Sequence, residues 1–385
     1  MKFLKSYVQS VFLFSLILFS NINVSNAASI NEENKDFFSA IVAEIFAAPQ
    51  AVKVTTDQNY FTYEIQLTNT YKSDIVLKKL SVVNTGDVAV IYRDYSDIKA
   101  QNQRVGTHEA VDTLAPGQSS IFWVSFFLAD SAQVPQSISH LIEYEADAKL
   151  EKICIAQTSI NPTKPVVISA PLEGKNWLAI NGWHRRAMMP INGKLFLAQR
   201  YALDYIQLDD NHKLFQSMPL ENTKYFGYNQ SILAVADGTV VEAVDAFSDQ
   251  VPGKFPTDIT LQNVNGNYVL LDIGGGNYAY YAHIKPGSVQ VKKGQALKKG
   301  QVIGKVGNTG NSSAPHLHFH IIDSTSPLGS NGVPFVFEDL TVIGNAKDVE
   351  SVEKSEATGV VADMAIHEAK QLKGVYPLNL DLVHY

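Results

Sequence analysis

The amino-acid sequence predicts a mostly β protein, with an N-terminal β-sandwich-like domain followed by a C-terminal antiparallel β-sheet domain. Three observations carry that prediction. Apolar residues fall in short alternating runs rather than at helical spacing, turn signals rich in Gly, Asn and Asp separate the runs, and one proline-bearing crossing divides the chain. At 385 residues the chain is long enough for two domains, and 45% hydrophobic with 18% charged content is that of a globular protein.

Residues 1–27 read as a secretory signal peptide: Lys2 and Lys5, an apolar run over 11–19, then Ser25-Asn26-Ala27 as a small-residue cleavage site before Ala28. The expectation is an exported protein, periplasmic or extracellular. The apolar run is too short to span a bilayer comfortably and no later run is longer, so no transmembrane segment is expected. Cys154 is the one cysteine, which excludes an internal disulfide, and its strand-like neighbours suit a buried structural thiol. A formal charge of -7 argues against nucleic acid or an anionic membrane as a partner.

After a helix expected over 36–48, residues 30–160 form the sandwich-like accessory domain. Its strands are the runs 61–67, 74–77, 81–83, 88–92 and 120–127, with turns at Asn84-Thr85-Gly86-Asp87 and Pro116-Gly117-Gln118. His108 and His140 are isolated there, so the domain reads as a positioning or binding module. A carbohydrate- or protein-binding role for it is the alternative. Residues 160–175, with Pro162, Pro165 and Pro171, form a linker or crossing.

The second domain spans 175–343. Met189-Pro190-Ile191-Asn192-Gly193-Lys194 reads as a hairpin turn, and 195–208 as one long strand. Asp237-Gly238 between apolar arms predicts another hairpin, and Gly274-Gly275-Gly276-Asn277 a third between 267–273 and 278–283. Short strands with glycine turns follow over 289–305. Residues 344–385 read as a C-terminal tail with a weak helix over 361–372.

The chemistry concentrates in Pro315-His316-Leu317-His318-Phe319-His320. On a strand the period of two puts the three histidines on one face, where neighbouring imidazoles could share one ion and its bound water. The bland alternative is a set of half-buried, hydrogen-bonded strand histidines. His212, His367 and His384 have no partners nearby in sequence.

Four segments in order, Ala236-Asp237-Gly238-Thr239-Val240, Tyr281-Ala282-His283, Gly304-Lys305-Val306-Gly307-Asn308-Thr309-Gly310 and Pro315-His316-Leu317-His318-Phe319, resemble the M23 (lysostaphin/LytM-type) zinc metallopeptidases over about residues 180–340. The resemblance implies a zinc metalloendopeptidase that hydrolyses peptides of bacterial cell-wall peptidoglycan. It implies His318 as a zinc ligand and His283 and His316 as catalytic histidines. A zinc ion lowers the pKa of its water, one imidazole takes the proton and the other donates to the oxyanion. Tyr281 is either an orienting group for His283 or substrate, or an ordinary strand aromatic.

The family's His-x-x-x-Asp motif aligns with Arg200-Tyr201-Ala202-Leu203-Asp204. Asp204 fits as a ligand, or alternatively as an ion-pair partner of Arg185, Arg186 or Arg200. Arg200 is a permanently protonated donor and cannot ligate zinc. The four residues from 200 to 204, in a straight strand, also cover about 13 Å, too far for both ends to hold one ion. His184 is the candidate third ligand if the 189–194 turn brings it near 201 or 202; otherwise it is a surface histidine beside arginines. Arg200 is left as a group for a substrate carboxylate or the oxyanion, and His320 as an outer partner of the ligands or a reserve ligand. The loss of the first ligand histidine opens a second reading, a non-catalytic domain that activates or scaffolds other wall hydrolases.

Overall fold

The computed structural model describes residues 37–385 except 182, 183 and 219; the signal peptide lies outside them. The described chain is almost entirely antiparallel β, with one α-helix. No helix among the described residues is long and apolar enough to cross a membrane.

Two five-stranded sheets form the N-terminal sandwich. One runs Ile41–Ile45, Gln58–Asn69, Ser119–Ala129, Asn102–Arg104, with Val52–Lys53 also on Gln58–Asn69; the other runs Lys149–Ser159, Ser137–Ala146, Ile75–Asn84, Asp87–Tyr95, with Thr113–Leu114 also on Ile75–Asn84. Phe61, Tyr63, Ile65, Phe122, Val124 and Ile142 fill the space between them. The turn at Asn84 closes the hairpin between Ile75–Asn84 and Asp87–Tyr95. The helix expected over 36–48 is instead the edge strand Ile41–Ile45, paired along Gln58–Asn69. An open sheet edge supplies the backbone partners that override the segment's helical pattern.

The second sheet has ten strands, in the order Ala296–Leu297, Gly238–Val244, Tyr268–Gly274, Asn277–Ala282, Leu317–Ile322, Leu203–Gln207, Trp177–Ile180, Asp381–His384, Leu340–Ala346, Met364–Leu372. The 267–283 hairpin forms as expected, and the Met189–Ile191 and Lys194–Phe196 strands close on Asn192 and Gly193, both at positive φ. Three expectations are corrected. Residues 195–208 are not one strand: a turn over 198–201, with Ala202 N donating to Gln199 O, separates Lys194–Phe196 from Leu203–Gln207. Asp237-Gly238 is not a hairpin tip, because Ser231–Leu233 pairs with Val302–Lys305 while Gly238–Val244 pairs with Tyr268–Gly274. Residues 344–385 are no tail. They add three strands or parts of strands to the main sheet, and the expected helix at 361–372 is the strand Met364–Leu372; the α-helix lies earlier, at Val349–Thr358. Asp348 caps that helix by accepting from Ser351 N, and Gly359 ends it at φ 72.

The crossing at 160–175 is structured as well. Its strand Val166–Ile168 lies parallel to Phe335–Phe337. Val52, Val54 and Tyr60 of the N-terminal half share a core cluster with Tyr205, Phe319, Phe335 and Tyr376. The two halves are thus joined by apolar packing, with each fully buried aromatic contributing roughly 1.5–3 kcal/mol.

His140 lies inside the sandwich. Tyr63 Oη donates to its Nε2 at 2.7 Å and its Nδ1–H donates to Ala156 O at 3.0 Å. Burial pushes its pKa down to about 4, with bonds to Ala156 and Ile155 opposing only in part. The unfolded chain therefore takes up a proton near pH 6.5 that the folded chain refuses until about pH 4, and stability falls as pH drops through that window. The loss is on the order of 3 kcal/mol. Urea unfolding of chelator-treated protein at pH 7 and pH 4.5 should show that decline, and His140→Gln, less stable at pH 7, should show a shallower one. Equal declines in the two proteins would remove His140 as the cause.

Candidate metal centre

The site is built on the strand Leu317–Ile322, whose residues are buried on both faces. Leu317, Phe319 and Ile321 point into the main core, which turns His318 and His320 to the opposite face. In the sheet Asp204 stands opposite His318 on one side and Ala282 on the other. The His318 ring bonds Asp204 Oδ1 through Nδ1 at 2.8 Å, and His320 Nδ1 lies 3.0 Å from His318 Nε2. His320 thereby holds the nitrogen of His318 that faces away from Asp204.

His184 reaches the same carboxylate by another route. The strand Trp177–Ile180 pairs Ile180 with Asp204, so the expected register of residue 184 against 201 or 202 does not occur. The chain instead leaves the sheet after Ile180 and makes a single 3-10 turn, His184–Arg186. That turn brings His184 Nε2 to 2.5 Å from Asp204 Oδ2. One ligand-type atom each from His184, Asp204 and His318 lie within 4.8 Å of one another.

His283 and His316 complete the cluster. Their rings are 4.8 Å apart, and His283 is 5.7 Å from His318. His283 sits just past the strand Asn277–Ala282 with φ 61, a conformation that costs a non-glycine residue energy and needs support. Support comes from Thr309, whose carbonyl accepts from His283 Nδ1 at 2.6 Å. The glycines of the 304–310 segment make that approach feasible: a Cβ on Gly310 would fall 2.3 Å from Gly266 N, and one on Gly307 2.3 Å from Lys285 Cα. His316 Nδ1 is likewise bound, to Ala314 O at 2.8 Å, while its Nε2 is 3.5 Å from Asp204 Oδ1. Both rings therefore have Nδ1 against a backbone carbonyl, which leaves Nε2 as the nitrogen available to the cluster.

Burial pushes the Asp204 pKa up, but His184 and His316 beside it and hydrogen bonds from His184 and His318 hold it well below the usual carboxylate range. Burial lowers His184, yet the Asp204 charge and hydrogen bonds to Asp204 and Gln199 leave it raised. Burial holds His318 down to about 4 and His283 and His320 well below the usual imidazole range. The result is an ionised Asp204 carboxylate, neutral His283, His318 and His320 rings, and a proton between His184 and Asp204. An ion would displace the His184 proton, and two imidazole nitrogens with a carboxylate oxygen suit zinc.

Two expected site residues lie elsewhere. Tyr281 is fully buried in the main core, where its hydroxyl accepts from Val235 N at 2.9 Å. Counting two back from His283 fails because the left-handed turn at His283 breaks the strand's alternation. Tyr280, the residue opposite His320, is the aromatic on the histidine face, its ring 4.9 Å from that of His320. Arg200 does not serve the histidine cluster. Its Nε and Nη2 bond both carboxylate oxygens of Glu64, at 2.7–3.2 Å, and Nη1 donates to Gly332 O at 3.2 Å. A buried guanidinium must be neutralised, and Glu64 is buried with it. The straight-strand distance argument against residue 200 also lapses, since residues 198–201 turn. Local pattern offered no signal for Glu64 or for the Thr309 carbonyl. The alternation of residues facing His318 and His320 could have identified Tyr280.

Residues 225–330 match the family model described as Peptidase family M23. The matched segment contains His283, His316, His318 and His320, whereas Asp204 and His184 precede it. Among curated proteins, the peptidoglycan DD-endopeptidase ShyA of Vibrio cholerae is 40% identical over 65 residues, covering 17% of this chain and 15% of ShyA. An uncharacterized metalloprotease of Haemophilus influenzae is 40% identical over 82 residues, 19% of this chain and 17% of that protein. The matched stretches span no more than 21% of the curated relatives. Among solved structures, the catalytic domain of lysostaphin from Staphylococcus simulans is 25% identical, covering 37% of this chain and 80% of that one at a TM-score of 0.22. A zinc-containing peptidase from Vibrio cholerae is 15% identical, covering 71% and 81% at 0.21. Residues 225–330 of this chain are thus similar to peptidase family M23.

Proposed function

We propose that this protein is an exported zinc metalloendopeptidase, periplasmic or extracellular, that hydrolyses peptide bonds of bacterial peptidoglycan. One observation carries the reading: five groups from four separate segments, His184, Asp204, His283, His316 and His318, converge on one buried point. A hydrogen-bonded core does not require four neighbouring imidazoles around one carboxylate, whereas a metal-dependent hydrolase uses such groups as ligands and proton carriers. The family match over 225–330 and the peptidoglycan endopeptidases among the relatives support the substrate class.

His184, Asp204 and His318 are the proposed ligands, with His320 holding the far nitrogen of His318. When bound, zinc supplies a Lewis acid and brings the pKa of a water near neutrality. His283 and His316 then have complementary work. The Nε2 of one would accept the proton of the attacking water, and the other ring, in its protonated form, would donate to the oxyanion of the tetrahedral intermediate. Their fixed Nδ1–H bonds to Thr309 and Ala314 hold those nitrogens in place. The segment 308–313 and the turn Asn222–Lys224 before Tyr225 join into one rim beside the histidines, through Asn308 Nδ2 donating to Asn222 Oδ1 at 2.9 Å. An extended wall peptide would lie against that rim.

Arg200 at the family's first ligand position favours a second reading, a scaffold that activates other wall hydrolases. Metal content separates the two. Elemental mass spectrometry of the mature protein should find close to one zinc per chain, lost in His318→Ala and in His184→Ala; no zinc after reconstitution would leave the scaffold. Because His184 takes up a proton that the ion must displace, zinc affinity should fall with decreasing pH. His316→Ala should keep its zinc and lose about 10²–10⁴-fold in turnover of purified peptidoglycan, read by mass spectrometry of the released peptides.

A further inference from the structure

Residues 184–202, between the strands Trp177–Ile180 and Leu203–Gln207, lie outside the main sheet, carry His184 and lead back to the sheet just before Asp204. Along this excursion Ala198 and Tyr201 pack against the second sheet and Leu197 O accepts from Gly332 N, while a further set of contacts runs to the N-terminal sandwich. Arg186, two residues after His184 on the same 3-10 turn, donates Nη2 to Ala100 O at 2.6 Å and to Gln101 Oε1 at 3.2 Å. Met188 and Leu197 pack with Ile121 and Trp123 of the sandwich, and Phe46 and Leu195 flank them. At the far end Arg200 is clamped by Glu64, which lies opposite Trp123 on the neighbouring strand. Glu64 and Trp123 thus belong to the outer face of the sandwich, the one turned away from its own core.

We infer that this outer face is part of the metal centre: Glu64 and the 100–101 turn hold the excursion so that His184 stands against Asp204 as a ligand. The inference rests on the zinc reading above. Two features favour it over plain domain packing. The excursion contributes only one ligand, on a 3-10 turn too short to be rigid alone, and Arg186 ties that same turn to the sandwich. The clamp is also ionic and buried at both partners, 4% and 1% exposed, in an interface that apolar contacts already hold together. Such a pair adds little net stability but fixes one register, because no other partner neutralises either charge. Glu64, Arg200 and Arg186 are positioning residues; none is placed to touch substrate.

The test measures zinc affinity of the full mature chain by competition with a chromophoric chelator, for wild type, Glu64→Gln and Arg186→Gln, beside thermal melting of the chelator-treated proteins. The expected result is zinc binding weakened about tenfold or more in both variants, with the melting temperature of Arg186→Gln close to that of wild type. A structural role alone would lower melting in Glu64→Gln and leave zinc affinity unchanged in any variant that folds, which overturns the inference. Should Glu64→Gln not fold, Arg186→Gln decides by itself. Zinc binding absent from wild type overturns the metal reading and this inference with it, an outcome distinct from a wild type that binds and variants that bind equally well.

Discussion

A carboxylate buried in the middle of a sheet can stay ionised only if donors surround it, and Asp204 is that carboxylate here. It sits 5% exposed between the strands Trp177–Ile180 and Leu317–Ile322. His318 meets it from the neighbouring strand, His184 from a turn outside the sheet, and His316 from the strand's entrance. Unpaired, its burial would cost several kcal/mol. The arrangement of the nearest histidines follows from this constraint: His318 is oriented by the carboxylate on one side and His320 on the other, and His316 by the carboxylate and the Ala314 carbonyl.

A second buried carboxylate, Glu64, imposes a similar demand at the junction of the two halves. Its partner is Arg200, drawn from the excursion that also carries His184. An arginine in the position where the resemblance places a ligand histidine is thereby held away from the histidine cluster. It is used instead as a clamp between the sandwich and the second sheet. The apolar share of the junction, Val52, Val54 and Tyr60 against Phe335 and Tyr376, supplies area. The ion pair supplies register, because it tolerates no slip of one surface along the other.

The histidines on the Leu317–Ile322 strand form a graded series. His318 faces Asp204, His320 stands behind His318, and His316 stands at the entrance beside the 308–313 rim. One step of period two separates the proposed outer partner from the proposed ligand, and that ligand from the proposed proton carrier. The strand's other face is wholly apolar, so the sheet that positions the chemistry is also the wall of the main core.

Much of this was legible in the residues. Alternation within runs disclosed the β class, Asn192-Gly193 and Gly274-Gly275-Gly276-Asn277 disclosed hairpins, and His316, His318, His283 and Asp204 disclosed the cluster. Where reading failed, a non-local partner or a single backbone angle decided. The segments 36–48 and 361–372 carry helical patterns, yet each finds a sheet edge whose unpaired backbone groups make strand the cheaper state. Tyr281 was assigned by counting along a strand that His283, at φ 61, brings to an end. The sequence by itself determined which chemistry could be present, since that depends on residue types and short-range period. Only the tertiary structure decided that His184 meets Asp204 and that Arg200 meets Glu64, 136 residues away. Pairings of buried charge are selected by which groups the fold brings into one dry place, and no local periodicity records that.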